Sequence, residues 1–224
     1  MLNNLIVFSS ALLALRASVI KNSRNEFQSF IINGKETKPF SFPFIVSLQL
    51  DGSHFCAGSL LDSTTVITAA HCTETGFPIT DITANIRRHD LRKSSEEEGG
   101  QSIKIKKTTT HPRYGGILLY NDIAIWKLVN PVTVPVSYVT LDDGKYASQV
   151  DLQAEAIGWG RINPNNNDTA PRLQHTVLPI YNNEKCSKDY YDAISKDSQV
   201  CAGYTEGISS TCQGDSGGPL FVKE

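Results

Sequence analysis

The serine at position 216 lies in a stretch whose residues could turn its hydroxyl into a nucleophile. The stretch is Thr-Cys-Gln-Gly-Asp-Ser-Gly-Gly-Pro-Leu, over residues 211–220. A serine hydroxyl attacks a carbonyl only when a base takes its proton and donors hold the oxyanion that forms. Because Gly214 has no side chain, we expect the backbone N–H groups of Gly214 and Ser216 to hold that oxyanion. Glycine-rich serine loops are also ordinary turns, so the stretch indicates a nucleophile only together with a base.

A histidine and an aspartate upstream could supply that base. His71 ends the run Val-Ile-Thr-Ala-Ala over residues 66–70, and Asp122 leads into the apolar run Ile-Ala-Ile-Trp over residues 123–126. An imidazole can take the proton of a serine, and a carboxylate fixes the tautomer of the imidazole and stabilises its charged form. His71, Asp122 and Ser216 are therefore the candidate catalytic residues, in the chain order His, Asp, Ser.

Three motifs around these residues resemble those of the chymotrypsin-like serine endopeptidases. They are T-A-A-H-C at residues 68–72, N-D-I-A at residues 121–124 and G-D-S-G-G-P at residues 214–219. Together with I-I-N-G at residues 31–34 and G-W-G at residues 158–160, the resemblance extends from Ile31 to the last residue. It implies that the chain is an endopeptidase that acts on protein or peptide substrates and needs no cofactor.

The resemblance also implies an all-β fold of two antiparallel six-stranded Greek-key barrels, with the active site between them. The first barrel would take residues 31–134 and the second residues 135–224. The chain stops earlier than its relatives, so we expect the second barrel to lack its last strands and the C-terminal helix.

The pattern of the chain agrees with short strands separated by turns. Residues 44–50 and residues 154–159 are apolar runs, and residues 102–106 alternate polar and apolar side chains. No long amphipathic helix and no repeat is evident, which favours barrels or a sandwich. Pro131 and Pro135 fit a linker between two barrels.

The N-terminal residues have the pattern of a secreted precursor. The apolar run within residues 1–17 has the length of a secretory signal peptide and is too short to span a bilayer. Residues 18–30 are polar and aperiodic, which is typical of a propeptide. We therefore expect a secreted, extracellular protein with no membrane partner.

The resemblance implies that the precursor is a zymogen. Cleavage before Ile31 would free an α-amino group that pairs with the carboxylate of Asp215 and orders the oxyanion loop. Ser47 and His54 match positions that hold this aspartate before cleavage. Because Phe30 precedes the cut, we expect a chymotrypsin-like activating enzyme and not a trypsin-like one.

The chain has five cysteines, an odd number for a secreted protein. The resemblance implies the disulfides Cys56–Cys72 and Cys186–Cys201, each worth about 3 kcal/mol by loop closure. Cys212 would stay unpaired, since its partner in the family lies beyond the end of this chain. We expect no metal site among the cysteines, because their spacing does not match one.

The substrate pocket implied by the resemblance involves Ser210, Thr211 and Gln213. Tryptic relatives have an aspartate at the base of this pocket, where this chain has Ser210. A neutral base does not offset the desolvation of a buried cation, so we expect large apolar side chains at the cut site. Whether the pocket is deep or blocked, as in elastase-like enzymes, stays open.

Composition and local motifs indicate which kinds of partner, modification and metal ion to expect. The formal net charge of −2 with 20% charged residues implies no nucleic-acid surface, and we expect a monomer that protein protease inhibitors can bind. Asn167 begins an N-glycosylation sequon. Arg88 stands where calcium-binding relatives have a carboxylate, which argues against a calcium loop, and the run Glu96–Glu98 is expected to be an exposed loop tip.

An alternative interpretation is an inert protease homologue, or a fragment that acts as a binding protein. The three candidate catalytic residues argue for an enzyme, whereas the missing last strands argue for the alternative.

Overall fold

The computed structural model describes residues 34–115, 118–161, 169–205 and 209–223, and the backbone of residues 5–7. Within these residues the chain forms eleven strands, one α-helix and two 3-10 helices. The strands are β1 (Leu5–Val7), β2 (Lys35–Glu36), β3 (Ile45–Leu50), β4 (Ser53–Asp62), β5 (Thr65–Thr68), β6 (Ile82–Ile86), β7 (Gln101–Thr110), β8 (Ala124–Leu128), β9 (Gln153–Gly158), β10 (Gln174–Pro179) and β11 (Pro219–Phe221). The helices are α1 (Asn183–Asp189) and the 3-10 helices His71–Thr73 and Ile79–Asp81. The all-β fold class predicted from the sequence is confirmed.

Strands β3 to β8 form a closed antiparallel barrel in the order β3-β4-β5-β8-β7-β6. The alternation that places side chains inside a barrel is clear in β8, where Ala124, Trp126 and Leu128 are buried while Lys127 is exposed. Trp126 is fully buried in the core of this barrel. Burial of a large apolar side chain contributes about 1.5–3 kcal/mol, so the residues that follow Asp122 are firmly anchored.

The remaining strands form an open antiparallel sheet in the order β1-β11-β9-β10-β2. Strands β9 and β10 pair along their whole length, from Gly158 opposite Gln174 to Gln153 opposite Pro179. Strand β11 pairs with β9 through Leu220 and Ala156. Strand β2 pairs with β10, so residues 35–36 belong to this second sheet although they precede the barrel in the chain.

Buried side chains from the barrel, the first unit, and from the open sheet with the loops around it, the second unit, form one shared core. Phe44 and Ile67 of the barrel pack with Trp159 and Phe221 of the second sheet. The rings of Phe44 and Phe221 meet edge to face, with their centroids 5.4 Å apart. The indole Nε1 of Trp159 also donates to the carbonyl of His89, at 2.9 Å. This contact region fixes the first barrel against the strand that directly follows the Ser216 loop.

The short helix α1 is the one α-helix of the described residues. Its N-cap is Asn182, whose side chain accepts from the N–H of Lys185, as capping residues commonly do. No helix in the described part of the chain is long and apolar enough to cross a bilayer.

Candidate active site

The turn that carries His71 is fixed by a disulfide. His71 begins a 3-10 helix just after β5, and the next residue, Cys72, is bonded to Cys56 of β4 with an S–S distance of 2.00 Å. The second disulfide joins Cys186 of α1 to Cys201. These are the two pairs implied by the resemblance, and Cys212 is a free, half-buried cysteine.

Asp122 holds His71 at two points. Its Oδ2 lies 2.6 Å from Nδ1 of the imidazole, and its Oδ1 accepts the backbone N–H of His71 at 2.8 Å. The carboxylate is fully buried, whereas the side chain of His71 is 23% exposed. Because the carboxylate accepts from Nδ1–H, the proton of the neutral ring lies on Nδ1 and Nε2 is left as the proton acceptor.

The Ser216 loop is a tight turn that lies against the first barrel. Asp215 N–H donates to Cys212 O at 3.0 Å, and the carbonyl of Ser216 accepts from Ala57 N–H of β4 at 2.7 Å. Gly217 has a φ of +75°, and an added Cβ would lie 2.1 Å from Thr68 Oγ1. Gly217 therefore allows the serine loop to touch β5, three residues before His71.

The hydroxyl of Ser216 forms no hydrogen bond with a described residue, and neither does Nε2 of His71. Asp122 and His71 contact each other directly, whereas Ser216 contacts the first barrel through the hydrogen bond from Ala57 N–H to its carbonyl. Catalytic hydrogen bonds are often long in enzymes without substrate and tighten when substrate binds.

The two expected oxyanion donors are free. Among described residues, the N–H groups of Gly214 and Ser216 have no acceptor. The carbonyl of Gly214 accepts from Nε2 of His54 at 2.8 Å, and Nδ1 of His54 lies 2.9 Å from Ser47 Oγ. His54 thus supports the backbone of Gly214, which has a φ of +97°. Burial lowers the pKa of His54 to about 4, which keeps the ring neutral.

The carboxylate of Asp215 and the ring of His54 have different hydrogen-bond partners in this structure. Its carboxylate is buried and accepts the N–H groups of Gly160 and Cys212, at 2.8 and 2.9 Å. Burial raises the pKa of Asp215 to about 6. The resemblance places Ser47 and His54 on this carboxylate before cleavage, whereas here they support the neighbouring Gly214 carbonyl. Ile31, the expected partner of Asp215, lies outside the described residues.

The G-W-G motif makes room for this carboxylate. A Cβ on Gly158 would lie 2.1 Å from Asp215 Oδ1, and a Cβ on Gly160 would lie 2.3 Å from Oδ2. Sequence reasoning used the motif only as a family marker and missed this packing role. The signal in the sequence was a glycine on each side of Trp159, which indicates that another group packs closely against the backbone there.

The residues assigned to the substrate pocket lie at the surface of the serine loop. Ser210, Thr211 and Gln213 are exposed, and the Ser210 hydroxyl donates to Thr211 O at 2.8 Å. A cavity of about 70 Å³ lies beside Ser216 and Asp215. It is lined mainly by apolar side chains, with Thr211 at one side: Ala156, Ile157, Leu178, Ala202, Pro219 and Leu220.

The described residues give no support for a metal centre at the site. Cys56, His71 and Cys72 lie close together, but both sulfurs are in a disulfide and carry no thiolate for a metal. At the loop discussed for calcium, the buried Arg88 guanidinium pairs with Glu98 at 2.8 Å. The expectation that Glu96–Glu98 forms an exposed tip is therefore wrong at Glu98, which is buried by this ion pair. Asn167 lies outside the described residues.

Comparison with known proteins identifies the family. A family model described as Trypsin matches residues 31–224. Chymotrypsin-C of Mus musculus is 34% identical over 199 residues, which cover 85% of this chain and 71% of that protein. Trypsin of Sus scrofa is 33% identical over 190 residues, which cover 85% of this chain and 78% of that protein. With its all-β fold, the chain therefore belongs to the trypsin family of chymotrypsin-like serine endopeptidases.

Proposed function

We propose that this chain hydrolyses peptide bonds through a triad of His71, Asp122 and Ser216. The observation that carries the proposal is the two-point hold of the Asp122 carboxylate on His71, at 2.6 and 2.8 Å. This hold orients the ring and leaves Nε2 without a hydrogen-bond partner among the described residues. A buried carboxylate in this position also stabilises the imidazolium that forms during the reaction.

The reaction follows from these positions. Nε2 of His71 takes the proton from the Ser216 hydroxyl as the oxygen attacks the peptide carbonyl. His71 then gives that proton to the departing amine, which leaves an acyl group on Ser216. A water molecule, deprotonated by His71, releases the acyl group and restores the serine.

The N–H groups of Gly214 and Ser216 hold the oxyanion of the tetrahedral intermediate. Both groups lack an acceptor among the described residues, so they can bind a developing charge without breaking another bond. Removal of one such donor in an acyl-transfer enzyme costs about 10²–10³-fold in kcat. The hydrogen bond from His54 to the Gly214 carbonyl supports the orientation of this loop.

We further propose that the protein is made as a secreted zymogen. Residues 1–17 act as the signal peptide, so strand β1 (Leu5–Val7), which pairs with β11 in the full chain, is removed with it. Residues 18–30 act as the propeptide, followed by a first barrel domain over residues 31–134 and a second over residues 135–224. The amino group freed at Ile31 pairs with Asp215. Support comes from the buried Asp215 carboxylate, which meets backbone N–H groups and no cation among the described residues.

The cavity beside Asp215 also fits this pairing. Its lining is mainly apolar, so it suits an aliphatic side chain whose ammonium group reaches the carboxylate. Such a buried charge pair costs about 3–5 kcal/mol to break. That free energy is enough to hold an otherwise mobile oxyanion loop.

The substrates are proteins or peptides cut after large apolar residues. Ser210 offers no negative charge to a buried lysine or arginine, and the hydroxyl is already used on Thr211 O. A panel of peptides that differ only at the cut-site residue tests this preference. Faster cleavage after arginine or lysine than after phenylalanine, tyrosine or leucine would overturn it.

The secreted protein works as a monomer, carries a glycan at Asn167, and can be bound by protein protease inhibitors.

Labelling with a serine-directed covalent inhibitor tests the proposed reaction. Material that begins at Ile31 should be labelled at Ser216, and Ser216→Ala should abolish the label. Ser102→Ala is the matched control, because Ser102 lies exposed on β7 and its variant should label like the wild type. No label on the wild type would favour the inert, binding-protein alternative.

A further inference from the structure

The loop that leads into Asp122 has an unfavourable backbone. Leu119 and Asn121 have φ values of +50° and +55°, in the left-handed region. Asparagine tolerates this region because its short side chain can bond locally, and Asn121 Nδ2 donates to Arg113 O at 2.9 Å. Leucine has no such compensation, so the conformation at Leu119 needs support from its surroundings.

Two hydrogen bonds between the Asp122 loop and the segment after α1 lie on either side of Leu119. The Gln199 side chain donates from Nε2 to the carbonyl of Leu118 at 3.1 Å. The hydroxyl of Tyr120 donates to the carbonyl of Ala193, also at 3.1 Å. One bond lies just before Leu119 and the other just after it. Both bonds join residues more than seventy positions apart in the sequence, one in the loop before β8 and the other in the segment after α1.

The segment after α1 that takes part in both bonds, as donor at Gln199 and as acceptor at Ala193, is itself well fixed. The Cys186–Cys201 disulfide closes it. Asn183 donates to the carbonyl of Gln199 at 2.9 Å, and Gln199 Oε1 accepts the Ser195 N–H at 2.8 Å. The segment between α1 and Cys201 therefore forms a firm support on which the Asp122 loop rests.

We propose that Tyr120 and Gln199 are positioning residues that hold Asp122 against His71 from the second unit. Neither touches a reacting atom, and the role rests on the function proposed above. Tyr120 is two residues from Asp122, and a γ-turn bond from Ile123 N–H to Asn121 O at 2.8 Å lies between the loop and β8. A shift at Tyr120 is thus passed directly to the carboxylate that orients the imidazole.

Two conservative variants test this role. Tyr120→Phe removes only the hydroxyl that reaches Ala193. Gln199→Glu keeps an acceptor for Ser195 N–H and loses the donor to Leu118. Tyr181→Phe is the control, because the Tyr181 hydroxyl bonds to the exposed Asp189 at 3.4 Å, near α1 but away from Asp122.

Steady-state kinetics give the first readout, per site titrated with the serine-directed inhibitor. We expect each variant to lower kcat by about three- to ten-fold with little change in KM, since misplaced groups reduce turnover more than binding. The acid limb of kcat/KM should move to lower pH, because a displaced carboxylate stabilises the imidazolium less. A lower thermal midpoint with an unchanged kcat and pH profile would mean a merely structural role and would overturn the proposal.

Proton NMR gives a second readout that needs no turnover. The Nδ1–H proton of His71, bonded to Asp122, should give a strongly downfield resonance that moves upfield in both variants and stays in place in Tyr181→Phe. An unmoved resonance in both variants would contradict the positioning role, even if the wild type proved inactive. Absence of inhibitor labelling with a shifted resonance would instead reject the proposed function and keep the positioning role.

Discussion

The two units of this molecule prepare the candidate site to different degrees. In the first barrel, His71 and Asp122 are joined by two short contacts, and Cys56–Cys72 secures the turn that carries the imidazole. In the second unit, the Ser216 hydroxyl has no partner among the described residues, and the loop around it bends at Gly214 and Gly217 with positive φ. His71, the proposed base, is thus held by direct contacts, whereas the loop of Ser216, the proposed nucleophile, depends on its supports.

Two groups with opposite electrostatic needs support that loop, the half-buried His54 and the buried Asp215. His54 holds the Gly214 carbonyl and must be neutral, whereas Asp215 fills the space next to Gly160 and stays buried without a described cation. A closed barrel with a continuous core tolerates the loss of single contacts better than such a loop does. Control of activity therefore belongs in the second unit, which is where the proposed zymogen switch acts.

The largest expected effect on kcat comes from breaking the contact between Asp122 and His71 in the first barrel. Asp122→Asn keeps the shape of the side chain but offers an amide to Nδ1, so the imidazole takes the wrong tautomer. The same change in a serine-protease triad lowers kcat by about 10⁴-fold, and we expect a loss of that order here. Stopped-assay rates on folded protein measure it, and a loss below tenfold would contradict the role of Asp122.

The next effect comes from crowding Asp215 in the second unit. Gly160→Ala would place a Cβ 2.3 Å from the carboxylate, and overpacking of this kind costs about 1–3 kcal/mol. We expect a lower free energy of unfolding and at least a tenfold loss of kcat, because the oxyanion loop must move. Urea unfolding and peptide hydrolysis check both parts. A variant as active and as stable as the wild type would show that this contact does not support the loop.

The pH dependence of stability separates His54 from Asp215. The pKa of His54 is lowered to about 4 from 6.5, so the neutral ring stabilises the fold above pH 6.5 and this stability is lost as pH falls toward 4. The pKa of Asp215 is raised to about 6 from 3.8, so the contribution of its protonated form to stability is fully present below pH 3.8 and is lost as pH rises through 6. Each shift corresponds to about 3 kcal/mol, and the two slopes oppose each other.

Single variants of the uncleaved chain should expose each slope. As pH falls from 6 to 4, His54→Gln should lose less stability than the wild type does, and Asp215→Asn should lose more. Urea midpoints at steps of half a pH unit give the measurement. If both variants showed the same pH dependence of the urea midpoint as the wild type, the opposite contributions of His54 and Asp215 would be refuted.

The smallest expected effect is at the free thiol. Cys212 is half-buried, and its backbone N–H, not its sulfur, bonds to Asp215 at 2.9 Å. Cys212→Ser keeps that backbone bond, so we expect a change in unfolding free energy within about 1 kcal/mol and unchanged kcat. A large loss of activity would mean that the sulfur itself supports the serine loop.

Local sequence patterns predict the outline of this fold. The apolar run at residues 44–50 contains β3, the alternation at residues 102–106 lies within β7, and the run at residues 154–159 matches β9. Residues 103–106 of β7 alternate between buried and exposed side chains, whereas five of the six residues of β3 are buried, and both patterns can be read from the sequence. Helix α1 was missed because its seven residues are too few to show an amphipathic period.

Contacts between distant segments could not be predicted in the same way. The motifs drew attention to His71, Asp122 and Ser216, since their chemistry is tied to residue type. Nothing in the sequence near Tyr120 indicates that its hydroxyl reaches Ala193, 73 residues away. The burial of Glu98 was missed for a similar reason, because a run of three acidic residues looks solvated until a buried arginine is known to lie beside it.

The pH dependence of kcat/KM for material that begins at Ile31 tests the central claim most directly, because the reaction needs a neutral His71 to take the proton of Ser216. The rate on a good peptide substrate should fall by about tenfold for each pH unit over the acid range in which protonated enzyme predominates, because only the unprotonated base can take the serine proton. A rate that stays level down to pH 4 would contradict the role of His71 and with it the proposed mechanism.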